Sequence, residues 1–196
     1  MRVLHLNDPT VRHLRNSMPC FDNARLIGRG VFCAVFEIPD SDRILKLTTD
    51  ETHYSYLMDG LSPKGPHKPV VLKDYGNVGE TCEGVSLYLV EVERLLRIPR
   101  GTENSRLVKQ IVKSANGRSK KMISLNATVI KALPSSLLTF IEDLNIFIKN
   151  FKYSPDIHNQ NFMQRADGTL VISDPIYDEQ LLKRTEQERT DRRRFA

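Results

Sequence analysis

Six residues of one loop, Asp156-Ile157-His158-Asn159-Gln160-Asn161, concentrate the groups best suited to chemistry in this 196-residue chain. The carboxamide at 161 is a hard oxygen donor and, with a carboxylate beside it, suits Mg²⁺ carrying nucleotide phosphates. Asp174 follows in Val171-Ile172-Ser173-Asp174-Pro175 at the end of an apolar run, so a hairpin over this stretch returns a second oxygen ligand beside Asn161. The alternative is that these Asp and Asn residues only form turns. Upstream, Gly28-Arg29-Gly30-Val31-Phe32-Cys33-Ala34-Val35 opens a strand. Gly28 and Gly30 lack a Cβ, which lets backbone amides approach a phosphate chain closely; a tight hairpin turn is the other explanation. No helix follows these glycines, which disfavours a dinucleotide-binding βαβ loop. Lys46, in Ile44-Leu45-Lys46-Leu47, is a strand cation between apolar neighbours, placed either to meet a phosphate or carboxylate or to sit in solvent at an edge.

These groups need elements to position them. Residues 1 to about 20 show no clear period and read as a leader strand or arm. Between Ala24 and Leu47, short apolar runs separated by turn residues predict three antiparallel strands, with Pro39-Asp40-Ser41-Asp42 as the second turn. Thr49 or Asp50 caps a helix over 51–59 that Gly60 stops. A Pro/Gly-broken loop (62–69) and two more strands (70–76 and 85–92) complete the first half. The second half predicts a helix over 102–115 and a stronger one over 135–151, where Leu137, Ile141, Leu144, Ile148 and Phe151 keep helical spacing. A polar loop (153–161), a hairpin turning at Ala166-Asp167-Gly168 and a charged helix over 178–194 follow. The expected fold class is α+β: a five-stranded antiparallel lobe over 1–92 and a reduced, mainly helical lobe over 93–196.

Composition narrows the class of protein. With 40% hydrophobic and 27% charged residues, the chain is neither fibrous nor largely disordered. No run approaches ~18 apolar residues, so no transmembrane helix is expected. Asn7, Asp8 and Pro9 interrupt the first apolar stretch, unlike a secretory signal. Three widely spaced cysteines, Cys20, Cys33 and Cys82, read as reduced thiols in a cytoplasmic protein. The net charge of +5 leans towards anionic partners.

The ordered set of a G-x-G-x-F-x-x-V loop, a strand-three lysine, D-x-H-x-x-N and a strand-end aspartate resembles the protein kinase-like superfamily. Within it, the chain is most similar to the serine/threonine protein kinases of T7-type bacteriophages, which share the D-x-H-x-x-N loop and a hairpin ending in a Ser/Thr-Asp-Pro motif, here Ser173-Asp174-Pro175. The resemblance covers about residues 23–178 and implies a minimal two-lobed kinase using ATP and Mg²⁺. It implies that Gly28, Arg29, Gly30, Val31, Phe32 and Val35 cover the ATP phosphates and that Lys46 holds the α/β-phosphates. Asp156 then positions or deprotonates the substrate hydroxyl, and Asn161 and Asp174 hold magnesium. His158 replaces the usual catalytic-loop lysine, either touching the transferred phosphate or bracing the loop. Glu91 and Val92 fall at the adenine-binding hinge, where backbone groups would make the contacts. The chain departs from the family at Cys33 (third glycine), Ser154-Pro155 (His-Arg) and Pro175-Ile176 (Phe-Gly). The acid to pair with Lys46 is Glu51 or Asp59. The 22 residues after Asp174 hold no activation loop or APE motif.

The implied partners are protein substrates of a bacterial host, in its transcription or RNA-processing machinery, met in the host cytoplasm. Residues 106–121, with Arg106, Lys109, Lys113, Arg118, Lys120 and Lys121 and no acid, form either a solvated face or a surface for nucleic acid or an acidic protein. Two other functions stay open: a small-molecule phosphotransferase of the aminoglycoside or choline kinase type, and a kinase-fold protein that inhibits a host factor by binding. Nothing in the sequence sets the oligomeric state.

Overall fold

The chain was analysed as a computed structural model, which describes residues 4–115 and 121–179 together with 183, 187 and 190. Most of the expected 178–194 helix, and Arg118 and Lys120, lie outside the described residues. Two units form. One contains Met1–Tyr54 and Val70–Arg94; the other joins Ser55–Pro69 to Leu95–Glu179. The chain changes unit between Tyr54 and Ser55, within residues 51–58, again between Pro69 and Val70, and again between Arg94 and Leu95. Among the described residues no helix is long and apolar enough to cross a membrane.

The first unit is built on five antiparallel strands: β1 (Arg25–Arg29), β2 (Cys33–Glu37), β3 (Arg43–Thr48), β4 (Val71–Glu80) and β5 (Ser86–Glu93), in the order β1-β2-β3-β5-β4. Strand alternation puts Ala34, Phe36, Leu45, Leu47, Leu87 and Leu89 on one face. Among the described residues, 4–20 do not form the expected leader strand or arm. They supply α1 (Pro9–Ser17), whose Val11 and Leu14 join Leu4 and Phe21 over that face. Each large side chain so buried contributes about 1.5–3 kcal/mol. The cue is local: Asp8 Oδ1 accepts from Thr10 N at 2.9 Å and Val11 N at 3.4 Å, with Pro9 at the first helical turn. Its other oxygen, Oδ2, accepts from Cys82 N at 2.9 Å. Helix α2 (Glu51–Met58) begins where expected, capped by Asp50 Oδ1, which accepts from Thr52 N at 2.9 Å and His53 N at 3.3 Å.

The second unit holds α3 (Glu103–Ala115), α4 (Ala127–Ala132) and α5 (Ser135–Phe151). Helix α5 buries Leu137, Phe140, Ile141, Leu144, Phe147 and Ile148 and ends at Lys152, a left-handed residue with φ 58°. Four short strands complete the unit: β6 (Ser154–Pro155), β7 (Phe162–Gln164), β8 (Leu170–Ile172) and β9 (Ile176–Tyr177). They form two separate pairs, β6 with β9 and β7 with β8. The sequence predicts the β7–β8 hairpin but shows neither two-residue strand.

Candidate active site

Two strand pairs assemble the loop chemistry. In the hairpin, Phe162 pairs with Ile172, so the residues just outside the pair meet: Ser173 N and Oγ donate to Asn161 O at 2.8 and 3.1 Å. In the second pair, Pro155 faces Ile176, and Asp156 N donates to Pro175 O at 2.7 Å. Asp174 sits between Ser173, which is bonded to Asn161, and Pro175, which is bonded to Asp156. The chain therefore draws Asp156, Asn161 and Asp174 into one turn cluster without help from any long element.

Side-chain bonds refine the cluster. Asn161, 8% exposed, donates its Nδ2 to Asp156 O at 2.8 Å and to Asp156 Oδ2 at 3.1 Å. The opposite amide orientation would set oxygen against oxygen, so this one is fixed and Oδ1 remains as an acceptor. Burial pushes the Asp156 carboxyl above the usual carboxylate range, and the charge of Asp174 adds to it, against the pull of His158 and Asn161. His158 Nε2 lies 3.4 Å from Asp156 Oδ2, so His158 is positioned to brace the carboxylate.

This donor set suits a divalent cation. It has two carboxylates, with the charge of Asp174 felt at Asp156, and a fixed carboxamide oxygen, all hard oxygen ligands. A Mg²⁺ ion would be held by Asn161 and Asp174.

The other expected site residues lie in the first unit. The register sets Gly28 opposite Val35, Val35 opposite Lys46 and Lys46 opposite Val90, one row across four strands. Gly30 N donates to Cys33 O at 2.8 Å, closing the turn that carries Arg29, Gly30, Val31 and Phe32. Phe32 O accepts from Thr49 N at 2.8 Å and Thr48 Oγ1 at 3.0 Å, and Val31 O accepts from Leu4 N at 2.9 Å. Neither Gly28 nor Gly30 needs its glycine for folding: neither has a positive φ. A Cβ would meet Val35 Cβ at 3.7 Å and Cys33 O at 3.9 Å, ordinary contact distances.

Glu91 and Val92 lie within β5, which runs on to Glu93, with Val71 and Lys73 of β4 on one side and Ile44 and Leu45 of β3 on the other. Their backbone lies inside the sheet because β4 extends the ladder on that side. Val92 shares the Lys46 face. Glu91 turns to the opposite one, where Arg43 Nη1 donates to its Oε1 at 2.6 Å beside a cavity of about 450 Å³ that Tyr75 also lines. Glu51 is exposed in the first turn of α2. Asp59 Oδ1 accepts from Leu61 N at 2.7 Å within its own loop.

Residues that sequence reasoning did not single out surround the hairpin. Tyr56, His67 and Arg165 bond its backbone or anchor its approach: Arg165 donates to Lys68 O at 3.0 Å and to Pro66 O. A lone tyrosine in a short helix and a lone histidine in a Pro/Gly loop carry no local signal of that role. No protein-family model and no characterised protein matches the chain.

Proposed function

We propose that this chain is an ATP- and Mg²⁺-dependent protein kinase of minimal two-lobed, kinase-like fold, transferring the γ-phosphate to serine or threonine hydroxyls of bacterial host proteins in the host cytoplasm. The observation that carries the reading is the convergence of Asp156, Asn161 and Asp174 through the two strand pairs. A turn-forming role alone does not explain why a fixed carboxamide and two carboxylates share one cluster. Gly28 supports it independently: glycine in a strand costs about 0.5–1 kcal/mol relative to alanine, and here neither backbone nor packing demands it. Close approach of a phosphate chain does.

Bound MgATP supplies a γ-phosphoryl group whose developing charge the metal offsets. Each of the chain's groups then has a defined task. Gly28 to Val35 cover the phosphates, and Lys46 neutralises charge on them. Asn161 and Asp174 hold the metal. Asp156 orients the substrate hydroxyl and takes its proton as the new O–P bond forms and the bond to the ADP oxygen breaks. The raised Asp156 pKa makes this carboxylate a better proton acceptor than an exposed one.

The test is transfer from γ-labelled ATP with Mg²⁺, with and without bacterial lysate, for the wild type, Asp156→Ala and Asp174→Ala. Label on proteins that vanishes in both variants is expected. Label confined to small molecules would instead assign a small-molecule phosphotransferase. No transfer, with host-factor inhibition intact in both variants, would assign a binding protein and overturn the proposal.

A further inference from the structure

The outer edge of β8 is closed by a segment that precedes it by about a hundred residues. Leu170 and Ile172 turn their peptide groups away from β7, as alternate strand residues do. Tyr56 Oη donates to Ile172 O at 2.8 Å, and Ile172 N donates to His67 O at 2.9 Å. The Nδ1 of His67 lies 2.7 Å from Leu170 O, which only accepts, so Nδ1 is the donor. The other ring nitrogen, Nε2, lies 3.0 Å from Ser136 Oγ on α5, and the ring meets Phe140 edge-on at 5.9 Å between centroids. Both side chains are buried, Tyr56 completely and His67 to 95%. Every outward polar group of the last β8 residue is thereby bonded to Tyr56 or His67, two residues before Asp174.

We propose that Tyr56 and His67 are positioning residues that fix the β8 end and so set Asp174 in register with Asn161 for holding the metal. The inference rests on the metal-holding role proposed for Asp174. The β7–β8 ladder is three residues long and the β6–β9 pair two, so the Asp174 turn between them is held by short ladders and by the bonds of Ser173 to Asn161 and of Asp156 to Pro175. The second edge of β8 adds a further constraint. Burial, with a further push from the charge of Asp174, holds the Tyr56 phenol well above its ordinary pKa, so it remains a donor at any working pH. In metal sites, such outer partners affect affinity by about 10–100-fold without touching the ion.

The experiment measures Mn²⁺ binding to the full chain in the presence of ATP, by electron paramagnetic resonance, beside the Mg²⁺ dependence of transfer and urea unfolding of the metal-free protein. Tyr56→Phe, which removes one oxygen and keeps the ring, is expected to weaken Mn²⁺ binding about tenfold. It should raise the Mg²⁺ needed for half-maximal transfer while kcat at saturating Mg²⁺ recovers. His67→Leu should behave the same way. His67→Asn, which keeps a donor for Leu170 O, should restore affinity to within about threefold of wild type. The His67 pair carries the test if Tyr56→Phe fails to fold. Wild-type Mn²⁺ binding that Asp174→Asn loses but Tyr56→Phe and His67→Leu keep within about twofold would overturn this inference alone. Wild-type protein that binds no more Mn²⁺ than Asp174→Asn and transfers no phosphate would overturn the function proposed for Asp174, and this inference with it.

Discussion

Burial and the charge of Asp174 hold the Asp156 carboxyl above the usual carboxylate range. A pKa higher in the folded than in the unfolded state means that the fold prefers the protonated form. Stability from that group is present at low pH and lost as pH rises through the folded pKa. Asp156→Asn cannot ionise and keeps an oxygen for the Asn161 amide. It should therefore melt above wild type at pH 7 to 8, with the difference closing as pH falls below about 4, in scanning calorimetry. A lower melting point at pH 7 would contradict this account. Gly28→Ala and Gly30→Ala test the other end of the chemistry: stability should stay within about 1 kcal/mol of wild type or rise. The KM for ATP should rise severalfold, since the added methyl occupies space that a phosphate chain needs. Unchanged ATP affinity would return both glycines to the role of a plain hairpin. At this scale the sequence was readable for the loop from Asp156 to Asn161, whose donor groups lie within six consecutive residues. It was silent on Tyr56 and His67, whose role exists only through bonds to residues about a hundred positions away.

Elements were legible in proportion to their length and period. Helix α5, with seventeen residues and a continuous apolar stripe, matches its expected limits, and β2, β3 and β5 emerge from their apolar runs. Strands β6 and β9 have two residues each and no period to detect. The first helix escaped because its nine residues offer only Val11 and Leu14 as buried apolar groups, though Asp8-Pro9 carried the start signal. Asp8 also offers an element-scale measurement. Burial works against its charge, but the hydrogen bonds from Cys82, Thr10 and Val11 prevail and hold its carboxyl below the usual range. That contribution is present above the unfolded pKa and lost as pH falls through the folded one. Asp8→Ala should cost about 1 kcal/mol in urea unfolding at pH 7, and the gap should narrow below about pH 4. A gap of the same size at low pH would separate the helix cap from the carboxylate charge.

For the whole molecule, the net charge of +5 gains a location. On α3, Arg106, Lys109 and Lys113 are exposed while Val108, Ile111 and Ala115 are buried, so three cations share the solvent side of one helix. If this face docks acidic protein substrates, replacing all three by alanine should raise their KM about three- to tenfold at low salt and leave kcat unchanged. It should also flatten the dependence of KM on ionic strength. An unaltered salt dependence would make the face a solvated one. The discontinuous second unit has a consequence for biosynthesis. Tyr56 and His67 leave the ribosome roughly a hundred residues ahead of the hairpin they bind, a wait of about 5–20 s at ordinary elongation rates. All five strands of the sheet are already translated by Glu93. The nascent chain therefore holds a finished set of sheet strands and an unpaired strap before the turn that carries Asp174 can close.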